Sequence, residues 1–194
     1  FDRGDFPFWQ DDQTVARPST KTIKDTAELL AQGKIVGWYQ GHGEIGPRAL
    51  GNRSILMNPF DPQGKDWINN KVKHREPFRP FGASVLENKV SQYFYWNGPS
   101  RYMLYVTDVL EPDRFPCITH ADGTCRVNTV PPEQEDYHML LQEYEKLTGV
   151  PILLNTSLNN GGRPIAGRVC DALELYYKTD LDTLVVGDEI KDKP

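Results

Sequence analysis

The sequence has little that would staple it covalently or seat it in a bilayer. Its three cysteines, Cys117, Cys125 and Cys170, form no CxxC, and their odd number leaves at least one unpaired in any disulfide scheme. Reduced thiols in a cytoplasmic protein are therefore the expectation. The longest apolar runs, PILLN and TLVVG, fall far short of the ~20 residues a membrane helix needs, so no membrane span is expected. Positive charge is not in excess either. Against 22 Lys and Arg stand 27 Asp and Glu, a net charge of -5, which argues against nucleic acid bound by bulk charge. GxxxxGK[ST], GxSxG and HExxH are missing, so any phosphate bound is not held by a P-loop. Repeats and low-complexity tracts are also missing. The opening FDRGDFPFWQ carries neither an initiating Met nor a signal-peptide pattern, and reads as the interior of a longer polypeptide. Residues 1–20 are expected to be a linker from a preceding domain, and 21–194 one domain.

What is there suffices for a core: 38% hydrophobic and 11% aromatic residues over 194 positions. KDTAELLAQGK reads as a helix with Ala27, Leu29, Leu30 and Ala31 on its apolar side and Gly33 beyond its end. KIVGWYQ and RSILMNP read as strands around GHGEIGPRALGN, a loop by composition. DPQGKDWINNKVK carries a helix with Trp67, Ile68 and Val72 on one side, followed by a strand, FGASVL, and a short helix, NKVSQYF. RYMLYVTDVL and TCRVNTV are expected strands, the second with a weak period of two. EQEDYHMLLQEYEKLTGV is the clearest helix, with Met139, Leu140, Tyr144 and Leu147 at helical spacing. PILLNTSLN, CDALELYYKT and LDTLVVGD close the chain as strand, helix and strand. About seven strands interleaved with four or five helices make an α/β or α+β sheet domain.

Four polar segments fall at expected strand ends, where open sheets take their ligands: GHGEIGPRALGNRS, KVKHREPFRP, THADGTCRVNTV and LNTSLNNGGRP. They carry Arg48, Arg53, Arg75, Arg79, Arg126 and Arg163, able to clamp phosphate oxygens two bonds at a time, and Lys73, which acts as a point charge. Ser157, Asn159 and the glycines after them offer further donors for an anion nest. A single arginine is most often a surface or ion-pair residue; six of them in four glycine- or proline-rich loops are harder to read that way. His42 and Glu44 make too small a set to suggest a metal, and no metal site is expected in this chain. His120 with Asp122 reads either as acid–base chemistry or as a loop hydrogen bond. His74 and His138 read as ordinary surface or helix residues, and YFYW and Tyr176–Tyr177 as core rather than stacking platforms.

GEIGPRALGNRSILMNP, NNKVKHREPFRPFGASVL, THADGTCRVNTV and TGVPILLNTSLNNGGRPI, in that order, resemble the C-terminal domain of the O-carbamoyltransferases that act on nodulation factors, antibiotics and related natural products. The resemblance runs from about residue 23 to 192. It implies a YrdC-like fold, a twisted open mixed α/β sheet with flanking helices around a positively charged cavity. The YrdC signature, a Lys-x-Arg paired with a Ser-x-Asn, matches Lys73 and Arg75 with Ser157 and Asn159.

The activity so implied begins with carbamoyl phosphate, hydrolysed to carbamate, which attacks the α-phosphorus of ATP to give carbamoyl-adenylate and pyrophosphate. An N-terminal domain of actin-like fold in the same polypeptide, with a histidine-bound metal of its own, would then pass the carbamoyl group to a hydroxyl. On this reading Lys73 and Arg75 are catalytic and His120 assists the hydrolysis. Arg48, Arg53, Arg79, Arg126, Asn155, Ser157 and Asn159 contact nucleotide and phosphates, with magnesium accompanying the ATP. Three places depart from the family pattern: His42 and Ile45 before GPRALG, AGRVCDALEL where a Thr-Pro-Glu-Asp-Ala run is expected, and Asn128 where a Gln is usual. Two rival readings are a threonylcarbamoyl-adenylate synthase, against which GPRALGNRS and DGTCRVNTV argue, and a non-catalytic YrdC-like module binding nucleotide or double-stranded RNA.

Overall fold

The computed structural model describes residues 15–193. Of the expected linker, residues 1–14 lie outside that range. Eight strands form one sheet: β1 (Val36–Tyr39), β2 (Arg53–Met57), β3 (Gly82–Leu86), β4 (Tyr105–Asp108), β5 (Thr124–Val130), β6 (Ile152–Ser157), β7 (Thr183–Val186) and β8 (Glu189–Asp192). Their order across the sheet is β4-β5-β3-β6-β2-β1-β7-β8. β3 with β5 and β1 with β7 pair in parallel, and the other neighbours pair antiparallel. An open mixed sheet flanked by helices is the YrdC-like architecture the resemblance implied.

The helices divide the sheet into two faces. α1 (Thr20–Ala31) starts at Ser19, whose hydroxyl accepts from the Thr22 N–H, and buries Ile23, Ala27 and Leu30; Ala31 faces solvent instead of joining that stripe. α3 (Glu135–Thr148) ends at Gly149 and buries Tyr137, Leu140, Leu141 and Tyr144. Together they cover Val36, Trp38, Leu56, Leu86, Leu153 and Val185. Period-two alternation then sends Tyr39, Ile55, Met57, Ala83, Val85, Val127, Ile152, Leu154 and Val186 to the opposite face. There they meet α4 (Val169–Lys178), which contributes Leu173, Leu175 and Tyr176, and the segment holding Ile68 and Val72. Because both faces of the central strands are covered, their sequences read as apolar runs rather than as alternation.

That last segment departs from the expected helix. α2 is regular only over Gly64–Trp67, and Ile68–Lys73 then widens into a π-turn closed by His74 in the left-handed conformation, φ 49°. NKVSQYF forms a 3-10 turn at Glu87–Gln92, and RYMLYVTDVL pairs only at Tyr105–Asp108, with one further bridge between Phe94 and Val109. β8 went unforeseen because EIKD is short and polar. Within YFYW, Tyr93 and Phe94 are core, but Tyr95 is exposed, as is Tyr177 in the second aromatic pair. Among the described residues no helix is long and apolar enough to cross a membrane.

Candidate anion-binding site

Antiparallel pairing brings one end of each central strand to a common edge. Tyr39 at the end of β1 sits opposite Arg53 at the start of β2, and Ser54 opposite Ser157 at the end of β6. Asn155 on β6 faces Gly82 at the start of β3, which in turn faces Arg126 on β5. Three of the four polar segments singled out in the sequence enter or leave the sheet at this edge, and the Lys73–Arg75 turn folds onto it.

Lys73 is 2% exposed. Its ammonium donates to the Ser157 carbonyl, to Asn159 Oδ1 at 2.7 Å and to Ser157 Oγ at 3.2 Å, while Ser157 Oγ itself bonds Asn159 Oδ1 at 2.7 Å. The lysine, serine and asparagine of the two motifs, 84 and 86 positions apart in sequence, are therefore in direct contact. Gly161 makes this approach feasible: its N–H donates to the Lys73 carbonyl, and a Cβ there would lie 2.6 Å from that oxygen. Burial first, and the charge of Arg75 second, hold the Lys73 ammonium well below the usual lysine range.

The left-handed turn at His74 sends Arg75 the other way. Its Nε donates to Asn69 Oδ1 at 2.7 Å, and its guanidinium lies over the Phe81 ring, 4.8 Å from the centroid. Asn69, wholly buried in the π-turn, also donates to the carbonyls of Pro77 and Arg79, each at 3.2 Å, and accepts the Arg75 N–H at its own carbonyl, so one side chain shapes the whole KHREPFR loop. Sequence reading passed over Asn69; a π-turn followed by an αL residue, a structural signal, is what marks it.

Around Arg75 positive charge outweighs the one carboxylate, Glu76. Burial, then Arg79 and Arg126, lower the Arg75 pKa; burial, then Arg48, lower that of Arg126. Arg75 Nη2, Arg126 Nε and Arg48 Nε are buried and, among the described residues, have no acceptor. The neighbouring carboxylates are engaged elsewhere. Glu76 pairs with Arg79 at 3.2 Å, and Glu44 Oε1 accepts from the backbone N–H groups of Leu50, Asn52 and Arg53, which holds the glycine-rich loop that presents Arg48. Buried donors on like charges, given no carboxylate partner by the described residues, form a site that an anionic ligand would complete.

Not every candidate belongs to it. Arg53 lies under the opposite face, its guanidinium 3.5 Å from the centroid of the Tyr39 ring. It donates to the carbonyls of Gln40, of Asn52 at 3.0 Å and of Gly41 at 3.2 Å. Arg163 pairs with Glu174 of α4 at 3.0 Å, outside the cluster. His120 is held in its hairpin, Nε2 against the Phe81 carbonyl and Nδ1 against Thr124 Oγ1, both at 3.1 Å. It shapes the approach to β3, and both ring nitrogens are engaged by the protein. Asn155 does reach the site, donating to the Ala49 carbonyl at 3.1 Å and to Ser84 Oγ at 2.9 Å. Among the described residues no three His, Cys, Asp or Glu side chains gather as a metal site would require.

Comparison with known proteins gives the family and the fold. The family model described as Carbamoyltransferase C-terminus matches residues 27–193. Nodulation protein NolNO of Sinorhizobium fredii is 46% identical over 167 residues, 83% of this chain and 25% of its own length. The 3'-hydroxymethylcephem-O-carbamoyltransferase of Amycolatopsis lactamdurans is 38% identical over 160 residues, 82% of this chain and 31% of its own. The chain thus spans about a quarter to a third of the length of these curated relatives. Among solved structures, P. abyssi Sua5 complexed with L-threonine superposes with a TM-score of 0.63 at 16% identity, covering 90% of this chain and 49% of that one, a likeness of fold alone.

Proposed function

Because the chain belongs to the carbamoyltransferase C-terminus family, we propose that it is the adenylate-forming part of an O-carbamoyltransferase, working in the cytoplasm on carbamoyl phosphate and ATP. Water first cleaves carbamoyl phosphate to carbamate and phosphate. A carbamate oxygen then attacks the α-phosphorus of ATP, the bond to the β-phosphate bridging oxygen breaks, and pyrophosphate leaves carbamoyl-adenylate behind. A hydroxyl acceptor, held by an N-terminal domain of actin-like fold, takes the carbamoyl group and releases AMP.

The observation that carries this reading is the set of Lys73, Arg75, Arg126 and Arg48, grouped with no ion pair to any carboxylate of the described residues, the nearby Glu76 being paired with Arg79. Phosphoryl transfer asks a protein chiefly for positioning and for neutralisation of charge spread over phosphate oxygens. Lys73, already fixed by Ser157 and Asn159, would meet the phosphate at which charge develops. Arg75, aimed by Asn69, would hold the leaving pyrophosphate, with Arg79 at the rim. Arg48 and Arg126 would hold carbamoyl phosphate. Magnesium would enter with the ATP as part of the substrate, since Glu44 and Glu76 are committed within the protein. Arg53 and His120 have no contact role in this scheme.

The test is release of pyrophosphate and AMP from magnesium ATP, dependent on carbamoyl phosphate, with threonine plus bicarbonate in a parallel reaction. Turnover with carbamoyl phosphate alone is expected. Turnover with threonine and bicarbonate instead would make this a threonylcarbamoyl-adenylate synthase, and failure to bind ATP or phosphate at all would remove the basis of the reading.

A further inference from the structure

The cluster just described consists of donors: guanidinium and ammonium groups have no lone pair to offer. Such a set holds any phosphorylated small acid and cannot tell an amino group from a methyl in the same place. The face under α1 and α3 does carry acceptors. Asn155 and Asn128 are 1% and 0% exposed, and among the described residues neither Oδ1 has a hydrogen-bond donor. The Ala49 carbonyl fixes the orientation of the Asn155 amide, and Asn128 meets the Ser84 hydroxyl, which can accept or donate. Asn155 Nδ2 faces the Ala49 carbonyl, which can only accept, and both Nδ2 groups converge on Ser84 Oγ, at 2.9 and 3.1 Å. A buried acceptor without a donor costs on the order of 1–3 kcal/mol, and here two occur side by side.

They also flank a glycine. Asn155, Gly82 and Arg126 stand opposite one another on three adjacent strands, with Ser84 and Asn128 opposite each other two residues further on, all on one face. Gly82 contributes no side chain to that row. The space above it holds the thioether of Met103, so that a Cβ on Gly82 would lie 2.7 Å from the Met103 sulfur. Met103 sits there from a left-handed backbone, φ 53°, a conformation costly for a non-glycine residue. Of the groups around Gly82, it is an unbranched, adaptable side chain that an entering ligand would displace.

We propose that the side-chain carbonyls of Asn128 and Asn155 receive the amino group of the carbamoyl substrate, beside Arg126 on its oxygens, and so make the site selective for an amide over an equally charged acyl phosphate. This rests on the carbamoyl phosphate reading above. The carbamoyl nitrogen presents two N–H donors and the rest of the molecule presents acceptors, the complement of two asparagine carbonyls beside a row of cations.

Two stable ligands separate the inference from the reading beneath it: phosphonoacetamide and acetonylphosphonate, which differ by an amino for a methyl group. Calorimetric titration of the chain is expected to show phosphonoacetamide binding about tenfold more tightly, the worth of one well-made hydrogen bond. In Asn128→Leu, a replacement of nearly equal size, the preference should fall to a few-fold while inorganic phosphate binds as before. Equal binding of the two phosphonates to the unaltered chain, a comparison that needs no variant to fold, overturns the proposal; so does a full preference surviving in Asn128→Leu, or phosphate binding with neither phosphonate. If inorganic phosphate and both phosphonates all fail to bind, the carbamoyl phosphate reading itself falls.

Discussion

Arg53 and Arg126 begin alike and end in opposite conditions. Each stands at or near the start of a central strand, at the same edge of the sheet, and burial lowers the pKa of each. Arg53 points under α4, where Tyr39 and three backbone carbonyls receive it. Arg126 points under α1 and α3, where its charged neighbour is Arg48 and, among the described residues, no carbonyl receives its guanidinium as three receive the Nη groups of Arg53. Burial by itself therefore says nothing about function. What distinguishes the two arginines is the inventory of acceptors around their Nη groups: carbonyls tie Arg53 into the scaffold, and Arg126 among like charges is the one proposed to take an anion.

The comparison is broken most directly by removing each member. Arg126→Ala, and likewise Lys73→Met or Arg75→Ala, should lower carbamoyl-phosphate-dependent pyrophosphate release by about a hundredfold or more, roughly 3 kcal/mol of transition-state stabilisation. Its thermal midpoint should hardly move, because one repelled buried charge has gone. Arg53→Ala should do the reverse. Loss of a paired buried guanidinium costs about 3 kcal/mol of stability, on the order of 10 °C in a domain of this size, with phosphate affinity kept below the transition. An Arg126 variant that unfolds like Arg53→Ala, or an Arg53 variant that folds normally and loses phosphate, would erase the distinction.

Phosphate itself sharpens it. At a hundred times its dissociation constant it should stabilise the chain by about 2.7 kcal/mol, and should leave Arg126→Ala unshifted in the same thermal melt. The pH dependence follows from Lys73. In the empty site its pKa is depressed by burial and by Arg75, so the unfolded chain holds more protons between that depressed value and the ordinary lysine range. Stability of the empty protein should therefore rise with pH across that window. Phosphate favours the charged lysine, so binding should take up a proton and weaken as pH rises through the depressed value. Calorimetry in buffers of different ionisation heat reads the uptake directly. A smaller effect belongs to Asn69→Ala, which frees Arg75 without removing its charge: a rise in apparent KM of a few-fold to tenfold, about 1 kcal/mol. The smallest is Glu174→Gln. Its pairs with Arg163 and Lys178 are largely exposed, so neither phosphate affinity nor the thermal midpoint should change measurably.

Much of this was readable in the chain. Apolar runs bounded by Gly, Pro and Asn gave seven strands close to where they lie, and the apolar sides of KDTAELLAQGK and EQEDYHMLLQEYEKLTGV gave α1 and α3, with CDALELYYKT expected as the helix that is α4. Local pattern failed where tertiary contact overrides it: in β8, paired despite a polar sequence, and in the π-turn, whose extra width places Asn69 under the KHREPFR loop. The site was legible as residue types. Arg48, Arg75, Arg126, Lys73, Ser157 and Asn159 do gather, as the order of motifs suggested. Arg53, Arg163 and His120 do not, since the motifs specify an arginine or histidine near a strand end and not the side to which it turns.

By itself, then, the sequence determined which residues could bind an anion and which segments could pair, because side-chain chemistry and hydrophobic period are local properties. Only the tertiary structure decided which of those cations are left without an acceptor. Period-two alternation and strand register put Arg53 and Arg126 on opposite faces, and a buried charge is neutralised, or not, by groups dozens of residues away.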